Sequence, residues 1–402
     1  MTVKSESAVL RDMRIAWVLA WSMLLVAGAC AQEPADTDAG PEAKPAPNQA
    51  VVHYVQKEMW IPAPQSFPNG LDSIEVYANL PGKHPLVVLT HGTSDKEEER
   101  EHVTPWGQLG QAMWFARRGY VAIVVARRGY GRSGGQRDGT NGGCNQRGGS
   151  FEQAGEASAD DLRAVIKFAR TLPEVDGETA VSIGISTGGF AQVALSADPP
   201  KELKAAINFA GGRGGDGHEH NCNLNDLIAA FGAFGRGAKK HGDLPMLWIY
   251  AENDHWFTPA MARQFEAAYD KGGGAEQFVL APPDRDEGHH LYSHISAWSG
   301  TVEAFLKAHN LLPLGDQLLP APQPPKSPPP PDGLPDAGKE AWGRYLLGAP
   351  YKAFATNGQA GWGLSLGAFD QSIANSDAID RCKKSAGSNG SCSIVAKTPG
   401  VK

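Results

Sequence analysis

The sequence lacks the features that would point to nucleic acid or to a membrane span. Its formal net charge is −7, its pI is near 6.0, and no block of basic residues occurs in it. Because a nucleic-acid partner requires an electropositive surface, we expect none. The N-terminal apolar run, residues 15–29, is shorter than the roughly 20 residues of a membrane-spanning helix.

That apolar run predicts export instead. A basic segment precedes it, and Ala29-Cys30-Ala31 after it has the small residues of a signal-peptide cleavage site. We therefore expect a signal peptide over residues 1–31 and a periplasmic or secreted protein. Cys30 leaves one alternative open, because residues 26–30 loosely resemble a lipoprotein box through which the chain would be anchored.

Cysteine is scarce, with five residues in a chain of 402. Those beyond the expected signal peptide are Cys144, Cys222, Cys382 and Cys392. An even number in an oxidising compartment predicts disulfides, and three pairings are open. Because Cys382 and Cys392 are close together in a small terminal segment, we favour that pair, which leaves Cys144 with Cys222. Four reduced thiols are the alternative and would suit a cytosolic protein.

The distribution of proline and apolar residues divides the chain into five parts. They are a signal peptide (1–31), a Pro/Ala-rich linker (32–49), a large globular domain (50–312), a Pro-rich linker (313–338) and a small disulfide-containing C-terminal module (339–402). A unit as small as this module usually needs a staple such as a disulfide.

The large domain alternates strands with helices. Segments 51–58 and 73–80 alternate apolar and polar residues, as antiparallel strands with one solvated face do. The apolar runs 85–90 and 120–125 are typical of strands buried on both faces, and helices such as 157–172 separate the later strands. This alternation predicts an α/β fold with a mostly parallel sheet and helices on both faces.

Three serines lie in a G-x-S-x-G pattern: Ser133, Ser186 and Ser365. The pattern forms a nucleophile elbow only where a strand turns sharply into a helix. The residues after Ser133 are too rich in glycine to begin a helix, and no histidine follows Ser365. Only Ser186 has an apolar strand before it and helix formers after it, so it is the candidate nucleophile.

The other members of a serine triad follow Ser186 in the chain. A serine hydroxyl needs a base to remove its proton, and that base needs a third group to orient it. Asp254 comes just after the apolar strand 246–250, at the sheet edge where α/β proteins place their ligands. His289 follows, so the order is nucleophile, acid, histidine.

With these motifs in view, residues 51–310 resemble the α/β-hydrolase superfamily, in particular its dienelactone-hydrolase-like and prolyl-oligopeptidase-like branch. The resemblance rests on the G-x-S-x-G turn, an Asn-Asp-x-x-Phe-x-Pro stretch and a Glu-Gly-His triplet. It implies the α/β-hydrolase fold for the large domain, with Ser186 as nucleophile, His289 as general base and then acid, and Asp254 as the orienting carboxylate.

The resemblance also implies an oxyanion hole. Its two donors would be the backbone N–H of Thr187 and one from the loop 91–93, for which we choose Thr93. One departure matters, because dienelactone hydrolases proper use a cysteine nucleophile and this chain has a serine. The dienelactone substrate is therefore not carried over.

Each assignment has an alternative. Ser186 or Asp254 would instead cap a helix, and Glu252 would be a substitute acid. The histidines that compete for the role of base are His289, His290 and His294. We favour His289, and we expect His91, in the oxyanion loop, to be structural.

Three other stretches contain residue types that often serve binding or catalysis. The His-Glu-His triplet at 218–220, near Cys222, does not have the spacing of a zinc-binding helix, so we expect no metal and no other cofactor. The acidic run 95–101 is expected to be solvated. The Arg- and Gly-rich stretch 127–134 either lines the pocket or forms a turn held by glycines.

These features predict an exported serine hydrolase that cleaves a carboxylic ester or related acyl compound through an acyl-enzyme. Its partner would be that small-molecule substrate. The alternatives are a peptidase of the prolyl-oligopeptidase-like type and a non-catalytic envelope binding protein on the same fold. The C-terminal module resembles small secreted modules of bacterial envelope proteins, which leaves two roles open: a binding or anchoring module that contacts the cell envelope, or only a stable tail.

Overall fold

The computed structural model describes residues 52–137, 151–221, 223–242, 244–322, 328–347, 349–368, 370–386 and 391–398. The expected signal peptide, the first linker and the proposed Cys144–Cys222 pair lie outside the described residues. Within them, no helix is long and apolar enough to cross a membrane.

The large domain is built on an eight-stranded sheet. Its strands are β1 (Tyr54–Ile61), β2 (Leu71–Ala78), β3 (His84–Thr90), β4 (Val121–Val125), β5 (Val175–Ile185), β6 (Leu203–Phe209), β7 (Met246–Ala251) and β8 (Gln277–Ala281). They lie in the order β1-β2-β4-β3-β5-β6-β7-β8. β2 is antiparallel to both of its neighbours, and the six strands from β3 to β8 are parallel to one another. This is the α/β-hydrolase fold, as the sequence predicts.

Helices cover both faces of this sheet. They are α1 (Glu97–Glu101), α2 (Leu109–Ala116), α3 (Phe151–Ala169), α4 (Thr187–Ser196), α5 (Leu224–His241), α6 (Pro259–Gly272) and α7 (Ile295–Ala308). One hydrophobic core lies under α3, α4, α5 and α6, and a second lies under α2 and α7. All five residues of β4 are buried, because apolar side chains on both faces of a parallel strand are covered by helices.

Two helices differ from the sequence prediction in their bounds. The sequence predicts a helix over 106–118, which in the structure starts as a short 3-10 turn, Pro105–Gln108, and continues as α2. The sequence also predicts a helix over 224–234, but this helix continues to His241 through two glycines. A Cβ on Gly235 would lie 2.1 Å from the Tyr269 carbonyl oxygen of α6, so glycine here serves close helix packing and does not end the helix.

The C-terminal module has its own small sheet. It contains α8 (Asp336–Leu347), β9 (Lys352–Thr356), β10 (Trp362–Ser365), α9 (Gln371–Ala386) and β11 (Ser393–Thr398), with antiparallel strands in the order β10-β9-β11. The predicted disulfide between Cys382 and Cys392 is present, with the two Cα atoms 6.0 Å apart. It joins the end of α9 to the segment before β11.

The module packs directly on the large domain. Leu366 lies against the core under α2 and also against the core of the module. Gly367 is pressed onto Trp106, since a Cβ on this glycine would lie 2.1 Å from the Trp106 Cβ. Part of the proline-rich stretch is also bound to the large domain, because Arg117 Nε donates a hydrogen bond to the Leu319 carbonyl at 2.9 Å. The division of the chain into five parts stays a prediction.

Candidate active site

Ser186 lies on a sharp turn between β5 and α4. Its backbone has φ 57° and ψ −121°, a conformation that costs a residue with a Cβ of order 1–3 kcal/mol. Surrounding hydrogen bonds hold it there: Ser186 N–H donates to the Phe209 carbonyl at 2.9 Å, and its own carbonyl accepts from Phe190 and Gly212 N–H. Strain at a serine of this kind is the geometry of a nucleophile elbow.

The two glycines of the motif are needed because the turn is crowded. A Cβ on Gly184 would lie 2.3 Å from the Gly188 carbonyl oxygen, and one on Gly188 would lie 2.5 Å from the His91 carbonyl oxygen. Both contacts are with backbone, which cannot move aside cheaply. The motif therefore brings the first turn of α4 against the loop that follows β3.

The rival G-x-S-x-G serines have other surroundings. Ser133 is buried, and its Oγ accepts from the Asp72 N–H at 2.9 Å while donating to the Ala126 carbonyl at 2.7 Å. Ser365 ends β10 in the C-terminal module. Neither serine lies at a strand-to-helix turn, so only Ser186 has the backbone of an elbow.

Asp254 and His289 are in contact at the same edge of the sheet. His289 Nδ1 lies 3.1 Å from Asp254 Oδ2, and both residues are buried. The other carboxylate oxygen, Oδ1, accepts from the N–H groups of Trp256 and Phe257 at 2.8 Å each. These bonds fix the carboxylate, which in turn orients the imidazole.

The alternatives for the acid and the base have different positions. Thr258, not Asp254, caps α6, since its side chain accepts from the Met261 N–H. Glu252 is exposed. Of the other histidines, His294 pairs with Asp284, and His290 is exposed. The described residues therefore give His289 and Asp254 the arrangement that a triad requires, and their catalytic roles stay a prediction.

Glu287 holds His289 from the backbone. Its Oε1 accepts from the His289 N–H at 2.9 Å and from the His255 N–H at 3.2 Å. Burial raises the pKa of Glu287, but these hydrogen bonds and the neighbouring His255 outweigh burial and leave its pKa below the ordinary value. A carboxylate kept ionised here fixes the short turn that carries His289.

An apolar wall connects the serine to the histidine. The rings of Trp256 and Phe257 each lie with their centres 5.5 Å from the His289 ring centre. Gly212 contacts both halves of the site, because its N–H donates to the Ser186 carbonyl at 3.2 Å and a Cβ on it would lie 2.6 Å from the Phe257 ring. The nucleophile and the Asp–His pair thus share one apolar, glycine-lined edge.

The loop proposed for the oxyanion hole lies beside the serine. A Cβ on Gly92 would lie 3.0 Å from Ser186 Cβ, so the loop 91–93 passes directly over the elbow. Thr93 Oγ1 is hydrogen-bonded to the Tyr130 hydroxyl at 2.8 Å, which fixes the far end of the loop. Thr187, the source of the other proposed donor, is the first residue of α4.

Sequence reasoning left the role of the 127–134 stretch open between pocket lining and a tight turn. In the structure Arg128 pairs with Asp161 at 2.9 Å and Arg132 with Asp72 at 2.9 Å, so both hold a turn. Arg127 is different. It is fully buried and reaches Thr187. No local pattern distinguishes it from its neighbours.

The remaining candidates do not form a metal site in the described part of the chain. No group of three His, Cys, Asp or Glu side chains there has the geometry to hold a metal ion. His220 lies 3.2 Å from Asp216 in the loop after β6, and residue 222 is outside the described residues. In the acidic run, Glu97 pairs with Arg100 and Arg137.

Comparisons with known proteins agree with this fold. A family model described as X-Pro dipeptidyl-peptidase (S15 family) matches residues 56–229, which include Ser186 and end before Asp254 and His289. No curated protein matches the chain.

Several solved structures are similar over most of the large domain. An esterase from Pyrococcus furiosus is 16% identical with a TM-score of 0.42, covering 64% of this chain and 93% of its own. Esterase 2 from Thermogutta terrifontis is 17% identical with a TM-score of 0.43, covering 64% and 95%. A Klebsiella pneumoniae protein assigned as a dienelactone hydrolase is 18% identical with a TM-score of 0.41, covering 63% and 99%. These values are too low to support an inference about activity.

Proposed function

Starting from a hydrolase with the α/β-hydrolase fold, we propose that this chain is a serine hydrolase that cleaves a carboxylic ester or a related acyl compound. One observation carries the proposal: the buried Asp254–His289 hydrogen bond of 3.1 Å lies at the same sheet edge as the strained Ser186 turn. A serine becomes a useful nucleophile only with such an oriented base beside it.

In the proposed mechanism the Ser186 hydroxyl attacks the carbonyl carbon of the ester while His289 Nε2 takes its proton. Asp254 stabilises the resulting imidazolium and keeps the proton of Nδ1 directed at its own carboxylate. The tetrahedral oxyanion accepts hydrogen bonds from two backbone N–H groups, those of Thr187 and Thr93. Each such donor is worth about 3 kcal/mol in sites of this type.

Collapse of this intermediate breaks the bond to the alcohol, which leaves with the proton held by His289. Ser186 is then acylated. Water attacks the acyl carbon as His289 takes one of its protons, and the second collapse releases the acid and returns the proton to Ser186. The two half-reactions use the same base and the same oxyanion donors, so one site serves both.

A dipeptidyl peptidase is the second candidate. The family model over residues 56–229 favours it, because that model is described as X-Pro dipeptidyl-peptidase. The ester is placed first because the segments that carry Asp254 and His289 lie beyond that match and resemble the dienelactone-hydrolase-like group. A panel of p-nitrophenyl esters and X-Pro p-nitroanilides separates the two, since the favoured class should have the higher kcat/KM.

The experiment that tests the proposal is labelling with a fluorophosphonate probe. Wild-type protein should be labelled, and Ser186→Ala, Asp254→Ala and His289→Ala should lose the label. Labelling that persists in Ser186→Ala would place the nucleophile elsewhere. If no form is labelled, the chain is better explained as a non-catalytic binding protein on a hydrolase fold.

We also propose that the protein is exported and that its C-terminal module contacts the cell envelope. The disulfide between Cys382 and Cys392 supports export, because such bonds persist in oxidising compartments. Cell fractionation of the full chain with and without residues 336–402 tests both points. A cytosolic protein would contradict the first, and unchanged envelope association of the shorter chain would contradict the second.

A further inference from the structure

Arg127 is a fully buried arginine directly behind the proposed site. It follows β4, and its guanidinium extends past the end of β3 to the start of α4. Burial of a cation is costly unless its charge and its donors are used. Its position therefore calls for an explanation beyond packing.

The guanidinium binds the two backbone segments that meet at the elbow. Its Nη1 donates to Thr90 Oγ1 at 2.9 Å and also to the His91 carbonyl, which together end β3 and begin the loop 91–93. Its Nη2 donates to Thr187 Oγ1 at 2.8 Å, on the first residue of α4. One planar group thus contacts both sides of the proposed oxyanion hole, and its planar geometry fixes their separation.

The backbone of Arg127 fixes the same loop a second time. Its N–H donates to His91 Nε2 at 3.1 Å, so the His91 proton lies on Nδ1, from which it is donated to the Gly92 carbonyl. Burial, reinforced by the charge of Arg127, lowers the pKa of His91 well below its ordinary value. His91 is therefore a neutral, rigid part of the loop.

The positive charge of Arg127 lies at the N-terminus of α4, where it does not stabilise the helix. The N-terminus of a helix is the positive end of its dipole, and an anion stabilises it while a cation does not. The Arg127 guanidinium nevertheless contacts Thr187 at the N-terminus of α4. That arrangement adds positive potential at the point where an oxyanion would form, and buried charges act strongly at short range.

We propose that Arg127 is a positioning residue that holds the two oxyanion donors at their working separation and adds positive charge beneath them. The proposal rests on the proposed function, because it assumes an oxyanion beside Ser186. It assigns to Arg127 a role in the transition state and none in substrate binding.

The test compares Arg127→Met, which keeps the length of the side chain, with Arg127→Lys, which keeps the charge. We expect Arg127→Met to lose about 100-fold in kcat, comparable with losing an oxyanion donor. KM should stay within about threefold, because ground-state binding is unaffected. Arg127→Lys should recover part of the loss. Affinity for a phenylboronic acid, which forms a tetrahedral anionic adduct, should fall in parallel with kcat/KM.

Arg128→Gln is the matched control, because it removes an adjacent arginine that pairs with the buried Asp161. Arg128→Gln should lower Tm but leave the ratio of the boronate dissociation constant to KM unchanged. A double variant of Arg127→Met with Thr187→Val should be no worse than Arg127→Met alone, since both remove the same contact.

The outcomes separate this proposal from the proposed function. Wild-type protein that a fluorophosphonate does not label at Ser186 overturns both. Labelled wild type together with an Arg127→Met variant of unchanged kcat overturns the role of Arg127 alone. The role of Arg127 is also overturned if Arg128→Gln loses as much kcat as Arg127→Met when the two variants lose the same Tm. That result would show that kcat falls with stability in general.

Discussion

At the scale of single residues, the proposed site depends on close contacts between backbone segments as much as on the chemistry of its side chains. Ser186 has a strained backbone, a Cβ on Gly92 would lie 3.0 Å from Ser186 Cβ, and a Cβ on Gly188 would lie 2.5 Å from the His91 carbonyl oxygen. A catalytic elbow of this kind has little tolerance for added atoms. Variants with a single added methyl group therefore test it directly.

We expect Gly188→Ala to reduce kcat by about 100-fold, because its Cβ would displace the His91 carbonyl and a misplacement near 1 Å costs that much. The contact is 2.5 Å to a backbone oxygen. Steady-state kinetics on a p-nitrophenyl ester, together with Tm, measures the effect.

Gly300→Ala is the matched control for that substitution. Gly300 lies on the exposed side of α7, and a Cβ there has nothing within 4 Å. It should keep full activity and gain up to about 1 kcal/mol of stability from helix propensity. Equal kinetics for the two variants would contradict the crowding at the elbow.

Asp254→Asn should lower kcat by about 10⁴-fold, because the amide no longer favours the His289 tautomer with its proton on Nδ1. The carboxylate accepts from His289 through one oxygen and from two backbone N–H groups through the other. The pre-steady-state rate of acylation reports the loss. A kcat within tenfold of wild type would mean that Asp254 is only structural.

The proposed triad could be predicted from the sequence, because chain order and the ends of strands restrict its members to a few residues. The role of Arg127 was not, because Arg127, Arg128 and Arg132 look alike in a glycine-rich stretch. Their difference lies in which partner each one meets across the sheet: Asp161 and Asp72 for two of them, and Thr187 for Arg127. Such partners come from distant parts of the chain.

At the scale of helices and strands, β2 contains a buried acid whose titration affects stability. Glu75 is fully buried and faces Lys57 on β1, with Nζ 2.6 Å from its Oε2. Burial and the nearby Glu174 raise the pKa of Glu75, Lys57 lowers it, and the net result is a pKa of about 7.

The unfolded chain releases the Glu75 proton above about pH 4.5, whereas the folded chain keeps it until about pH 7. The stabilisation is therefore present below pH 4.5 and is lost as pH rises to 7. We expect the free energy of unfolding to decrease over this window by on the order of 2–3 kcal/mol.

Urea denaturation at several pH values measures this decrease. Glu75→Gln should remove the Glu75 share of it and so flatten the curve, and Glu98→Gln, which changes an exposed acid on α1, should leave the curve unchanged. A wild-type curve with the same slope as that of Glu75→Gln would show that Glu75 titrates normally.

The disulfide that joins α9 to the segment before β11 should stabilise the module by about 2–3 kcal/mol, because it closes a short loop in the unfolded chain. Cys382 and Cys392 are separated by ten positions. We expect Cys382→Ala with Cys392→Ala to lower Tm, and a reducing agent to lower the wild-type Tm equally. A reducing agent that leaves Tm unchanged would contradict this.

The strands were predicted well because apolar runs such as 120–125 leave few alternatives. Helix ends were predicted less well, because a glycine either ends a helix or allows two helices to pack closely. Gly235 looks like a helix terminator in the sequence, but it is the point where α5 touches α6 at Tyr269. Only the packing of the two helices shows which of these roles the glycine has.

At the scale of the whole molecule, the C-terminal module contacts the segment that begins with the oxyanion loop. That segment runs from His91 to Trp106, and Trp106 meets Gly367 of the module. Leu366 extends the same contact into the core under α2. This docking cannot be predicted from the sequence, because the proline-rich stretch between the large domain and the module is typical of a linker between independent units.

We expect the chain truncated after residue 322 to have a lower Tm and a lower kcat, because Trp106 and its neighbours lose their cover. Gly367→Ala should show a milder form of both effects, since its Cβ would collide with Trp106. Thermal denaturation and ester kinetics measure them.

Gly358→Ala is the control for the module substitution. Gly358 also has a positive φ, 73° against 66° for Gly367, but a Cβ on it meets nothing within 4 Å. It should share the backbone strain and leave kcat unchanged. If the two variants lose kcat equally, the contact with Trp106 does not support the site.

The contact between Gly367 and Trp106 has a consequence for biosynthesis. Residues 91–106 are synthesised, and in an exported chain cross the membrane, before residues 336–398, so the oxyanion loop emerges without the module that later packs on it. During that interval the nascent large domain has its serine and its histidine but lacks one support of the loop. Full activity should therefore appear only after the module has followed the large domain and docked on it.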